Sequence, residues 1–131
     1  MANNKLRKYE LIYLVQPEAT DEDRQKVSDR VDNVLEEYGA TLVQREDWGK
    51  RKLAYEIQKQ NKAFYTYMVF IARSGTTAEI ERVLRMLDNC IRWQTIKLED
   101  GIAPDDIERH TVIEPVVRGE RNLDPIDDEE E

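Results

Sequence analysis

Hydrophobic periodicity changes twice along this chain, and the order of those changes constrains the fold more than any other feature. Residues 7–16 (RKYELIYLVQ) are rich in strand formers and stop at Pro17. Tyr9, Leu11, Tyr13 and Val15 alternate with Glu10, Ile12 and Leu14, the period of two that sends successive side chains to opposite faces of a sheet. Thr20 then offers an N-cap, and Asp21, Glu22 and Asp23 place negative charge at the positive end of a helix dipole. Val27, Val31, Val34, Leu35 and Tyr38 follow at helical spacing, with Gly39 suited to the C′ position.

Residues 40–48 and 63–72 read as two further strands. Between them Leu53, Tyr55 and Ile57 again alternate, so 40–58 is expected as one long strand bent at Gly49, turning through Lys59–Lys62. Two separate strands broken at Gly49 satisfy the same pattern. Thr76 and Glu79 make a capping-box spacing ahead of a second helical stripe, Ile80, Val83, Leu84 and Leu87. A last strand spans Cys90–Leu98. Strand, helix, strand, strand, helix, strand is the α+β, ferredoxin-like β-α-β-β-α-β plan: a four-stranded antiparallel sheet with two helices on one face and the first and third strands central.

Two helices leave the other sheet face open. A solvated face should be polar, yet Ile12 and Leu14, with Tyr65, Tyr67, Val69 and Ile71, make both central strands apolar on both sides. Contiguous exposed apolar surface marks an interaction site. The sequence therefore predicts a protein partner on the open face, around Ile12, Leu14, Tyr55, Tyr65, Tyr67 and Ile96.

Charge sharpens the division of the chain. Residues 1–104 hold 17 basic and 17 acidic side chains, whereas 105–131 hold 3 and 11, so the whole net charge of −8 lies in the last 27 positions. The body, 1–101, is expected to be the folded domain, and 102–131, with three of the four prolines and a terminal acidic run, a disordered tail. Within the body, Arg45 to Lys62 carries six basic residues against three acidic ones. Lys50, Arg51 and Lys52, with Arg7, Lys8 and Arg92, are the candidate phosphate contacts.

Catalytic and metal chemistry find little support. Cys90 starts a strand and reads as a small core residue. His110 has no second histidine or nearby cysteine to share a metal. No cofactor is expected. No run approaches the roughly 18 apolar residues of a membrane span, and the start lacks the apolar core of a signal peptide. A single cysteine fits a reducing compartment.

The run Glu46-Asp47-Trp48-Gly49-Lys50-Arg51-Lys52-Leu53-Ala54-Tyr55-Glu56-Ile57 resembles the signature of the bacterial small-subunit ribosomal protein six family. Arg7-Lys8-Tyr9-Glu10, Gln16-Pro17, Tyr38-Gly39 and Asp88-Asn89 match it in colinear order. Glu56 departs from the family, which often has proline there. The resemblance implies a cytoplasmic structural protein of the ribosome that binds the central domain of small-subunit rRNA with ribosomal protein eighteen, as a heterodimer, without enzymatic activity. An RNA-recognition motif shares the element order, but Lys62–Phe70 puts Tyr65 and Thr66 where that motif needs a small residue and then an aromatic.

Overall fold

Helix α1, Asp21–Glu37, starts where local chemistry directs it. Thr20 Oγ1 accepts the Asp23 N–H (3.0 Å) and the Asp23 carboxylate accepts the Thr20 N–H (3.2 Å), a reciprocal capping box. It ends as firmly. Gly39 sits at φ +69° while its N–H donates to the Glu36 carbonyl and that of Ala40 to Leu35, closing a Schellman motif.

The computed structural model describes residues 5–111 and Ile113. Around α1 it places strands β1 (Leu6–Val15), β2 (Thr41–Ile57), β3 (Gln60–Ala72) and β4 (Cys90–Ile102), helix α2 (Thr76–Met86), and a 3-10 helix, Pro104–His110. The sheet order is β2-β3-β1-β4, antiparallel throughout, with β1 and β3 central as expected. Strand β2 is continuous. Register shifts leave an extra residue at Val43 and at Trp48, and Gly49 takes φ +77°, so bulges bend the strand without breaking it. The turn to β3 is tighter than Lys59–Lys62: Ile57 pairs with Gln60, and Gln58 and Lys59 both take positive φ, the type I′ signature.

The second capping box is not formed. Gly75, at φ +93°, occupies the N-cap of α2; Thr76 is already inside the helix, fully buried, its hydroxyl donating to the Arg73 carbonyl (2.9 Å). An apolar stripe on each helix covers the Leu11, Tyr13, Val15, Met68, Phe70 and Ala72 side of the sheet, so both helices share one face.

The opposite face is not open. Ile12, Leu14, Tyr65 and Tyr67, expected as a partner surface, are at most 2% exposed. They belong to a second apolar layer with Val43, Leu53, Ala63, Val69, Ile71, Ile91 and Ile102, onto which Leu6, Trp48, Ile57 and Ile107 pack. The reason is energetic. Each large aliphatic side chain is stabilised by about 1.5–3 kcal/mol on full burial, so baring Ile12, Leu14, Val69 and Ile71 together would cost about 6–12 kcal/mol. That rivals the entire stability margin of about 5–15 kcal/mol typical of a domain. Bulges aim edge-strand side chains over the face, and the chain after β4 supplies the rest.

That chain also moves the domain boundary. Ile102 is buried and Pro104–His110 is helical, so residues 102–110, assigned above to the disordered tail, belong to the folded body. The tail expectation for residue 112 and residues 114–131 lies outside the described residues.

Candidate RNA and protein interface

Strand pairing fixes the outer face row by row. Gly49, Tyr65, Leu14 and Arg92 form one row across the sheet; Glu46, Tyr67, Ile12 and Gln94 the next; then Gln44, Val69, Glu10 and Ile96; then Thr41, Ile71, Lys8 and Glu99. Only Phe64–Ala72 of β3 pair with β1, so the β2–β3 hairpin projects past the end of β1 as a two-stranded arm. Arg51, Lys52, Lys59 and Lys62 lie on it and Lys50 at its base opposite Phe64, with Glu56 the one acid from residue 50 to 62.

The six candidate phosphate contacts divide into groups. Arg51 pairs with Ala63 and so shares the outer face, where its guanidinium lies 5.6 Å from the Trp48 ring and its Nε donates to the Trp48 carbonyl (3.2 Å). Lys50 and Lys52 pair with Phe64 and Lys62 on the helix side, Lys50 Nζ standing 5.2 Å from the Phe64 ring. Arg92 reaches the arm end of the outer face from β4. Arg7 and Lys8 lie at the far end of β1. There Arg7 Nε meets Asp100 (3.3 Å), whose other oxygen accepts from Lys97 (3.1 Å). The Lys97 ammonium, with the Gly101 N–H, holds the Asp100 carboxyl below the usual carboxylate range. Arg51 and Arg92 therefore share the outer face, at the β2 and β4 edges of the sheet, Lys50 and Lys52 lie on the other side of the arm, and Arg7 and Lys8 stand at the opposite end of β1.

Of the six candidate partner contacts, Tyr55 (55% exposed) and Ile96 (43%) reach solvent. Leu42 and Leu98 are also exposed apolar residues. Leu98 coincides with a register shift in β4, a displacement that alternation of residue types does not signal.

Beneath the surface runs an aromatic and polar stack. Trp48 lies nearly parallel to Tyr67 (centroids 5.2 Å, 8°) and over Tyr65 (6.5 Å, 20°). Trp48 Nε1 donates to Glu46 (2.9 Å), Gln44 Nε2 to the other Glu46 oxygen (2.7 Å), and the Tyr67 hydroxyl to buried Glu10 (2.9 Å). Tyr65 and Tyr67 thus stack within the protein, which answers the RNA-recognition-motif alternative: a base would have to displace Trp48.

On the helix side a cleft of about 410 Å³ is lined by Tyr13, Arg24, Ser28, Arg45, Phe64 and Thr66 among others. Its arginines are matched in the ion pairs Arg24–Asp21 and Arg45–Asp32, so it offers no excess charge to an anion. Burial raises the Tyr13 hydroxyl above its ordinary value. Burial also pushes the Cys90 thiol up to about 12, far from the thiolate needed for nucleophilic work. Cys90 should be inert to a disulfide reagent at pH 8 in the native protein and react fully in denaturant. Rapid native-state labelling, read by absorbance, would contradict its core placement. Among the described residues, no cluster of His, Cys, Asp and Glu could hold a metal, and no helix is long and apolar enough to cross a membrane.

The antiparallel ferredoxin-like sheet thus carries a projecting basic arm and, at Leu42, Tyr55, Ile96 and Leu98, exposed apolar side chains. Residues 8–97 match the family model described as Ribosomal protein S6. The small ribosomal subunit protein bS6 of Citrifermentans bemidjiense is 44% identical over 99 residues, spanning 75% of this chain and 74% of that one. Its namesake from Solidesulfovibrio magneticus is 36% identical over 100 residues, 76% of this chain and 98% of the relative. The crystal structure of 30S ribosomal protein S6 from Thermotoga maritima superposes with a TM-score of 0.67 at 31% identity, covering 80% of this chain and 94% of that one. The chain belongs to the ribosomal protein S6 family. It is a structural constituent of the small ribosomal subunit, not an enzyme, and works on the cytoplasmic ribosome.

Proposed function

We propose that this chain binds the central domain of small-subunit rRNA together with ribosomal protein eighteen, as a heterodimer. The projecting β2–β3 arm supports this reading most: four cations, with Lys50 at its base, line a two-stranded ribbon that can lie along a phosphate backbone. Lys50, Arg51 and Lys52, with Arg92 across the outer face on β4, make the phosphate contacts. Arg7 and Lys8 form a second, weaker contact at the other end of β1, because Asp100 already shares the Arg7 charge. Tyr55 and Ile96 touch the protein partner, while Ile12, Leu14, Tyr65 and Tyr67 act as the rigid floor beneath rather than as contacts.

The test combines purified chain, ribosomal protein eighteen and a central-domain rRNA fragment in a gel-mobility titration. A ternary complex is expected, with each protein tightening the other's binding as linkage requires. Independent binding of the two proteins, or no shift at all, would overturn the proposal.

A further inference from the structure

Residues Ala103–His110 cover part of an apolar layer with no fully buried side chain of their own. None of the residues of the 3-10 helix is buried. Ile107 packs on the outer-face cluster, and His110 Nδ1 meets Glu99 Oε1 at 2.7 Å. The segment's remaining polar contacts close within itself or on the next residue: Asp106 N–H to the Ala103 carbonyl, Arg109 to Asp106, and Thr111 to the Glu108 carbonyl. Among the described residues, Ile107 and the His110–Glu99 pair are the side-chain links that tie it to the sheet. Below it lies the corner of the sheet where Leu6 pairs with Ile102, and along the same strand Ile96 and Leu98 stand 43% and 41% exposed.

We infer that Ala103–His110 is a removable cover over this corner of the outer face, and that an apolar segment of a protein partner docks where Ile107 now sits. The incoming segment carries a basic residue beside its apolar one. Lifting the cover removes His110 from Glu99, and the carboxylate left behind selects a cation to replace it. The exposed Ile96 extends the docking site along the outer face of β4, so the partner gains apolar contact that Ile107 alone does not use. The cover itself is intramolecular and competes with the partner. A partner that binds only the open form has its apparent affinity reduced by the open fraction, about tenfold where about one molecule in ten is open. The identity of the partner, ribosomal protein eighteen, rests on the function proposed above; the cover does not.

The test uses full-length Ile107→Ala, His110→Ala and the double variant, each titrated calorimetrically with ribosomal protein eighteen. The double variant should bind about tenfold more tightly than the parent, His110→Ala alone less so but in the same direction. Equal or weaker binding in folded variants would overturn the inference, because the segment would then be inert or part of the partner's own contact. If neither parent nor variants bind that protein, the heterodimer reading falls, and an apolar fluorescent dye, 8-anilinonaphthalene-1-sulfonate, decides the cover separately. Several-fold brighter dye in the variants supports a lifted cover; unchanged dye fluorescence refutes it.

Discussion

Replacing Lys50, Arg51 and Lys52 together by alanine is expected to weaken rRNA binding by about 10²–10³-fold at 0.1 M salt and to lower the salt slope by about 2–3 units. The size follows from counterion release: each phosphate contact contributes about 0.7–0.9 to the slope of log affinity against log salt. The slope is the sharper reading, because it counts contacts whatever the absolute affinity. Position on the arm refines it. Lys50 and Lys52 lie on the helix side and Arg51 on the outer side, so a phosphate backbone meets all three only by crossing the arm's edge. Single changes at Lys50 and Lys52 should each remove about one unit of slope. Arg51→Ala should also alter Trp48 fluorescence, since the guanidinium over that ring is lost. Folding stability should stay within about 0.5 kcal/mol for Lys52→Ala, an exposed position. A slope unchanged in the triple variant would remove the arm from the RNA interface.

The split of the basic run across two faces shows how much the sequence reveals and where it stops. Alternation from Tyr9 to Val15 and from Phe64 to Ala72 assigns each central-strand side chain to the layer it occupies, and Thr20 and Gly39 bracket the first helix where the caps form. Those signals are local, fixed by neighbours within a few residues. The cover on the outer face is not local. Trp48 reaches Tyr65 and Tyr67 because bulges at Val43 and Trp48 shift the register of β2; Gly49 marks the second in the sequence, but nothing in a period of two marks the first. Ile107 sits among Asp105, Asp106, Glu108 and Arg109, an isolated apolar residue in a charged stretch with no stripe to announce burial. Thr76 and Glu79 have capping-box spacing, yet Gly75 takes the cap and Thr76 turns inward to Arg73. Spacing was satisfied in sequence but the backbone entered the helix one residue earlier.

The burial of Ile12 separates two roles that alternation alone merges. Ile12→Ala should destabilise the fold by about 2–5 kcal/mol, the range for emptying a well-packed aliphatic site. A urea melt at constant m-value would report it as a lower midpoint. Ile96→Ala, at a position 43% exposed, should leave that midpoint within about 0.5 kcal/mol of the parent. Its effect should fall on the protein partner instead, weakening binding by more than about fivefold if Ile96 is one of the few side chains that anchor the interface. The two residues occupy neighbouring rows of one sheet face, Ile12 opposite Gln94 and Ile96 opposite Glu10. A large stability loss confined to Ile12 would therefore locate the boundary between core and interface to within one row of the sheet. If Ile12→Ala melted like the parent yet bound the partner poorly, the outer layer would be an interface after all, and the floor beneath Trp48 would not be holding the fold.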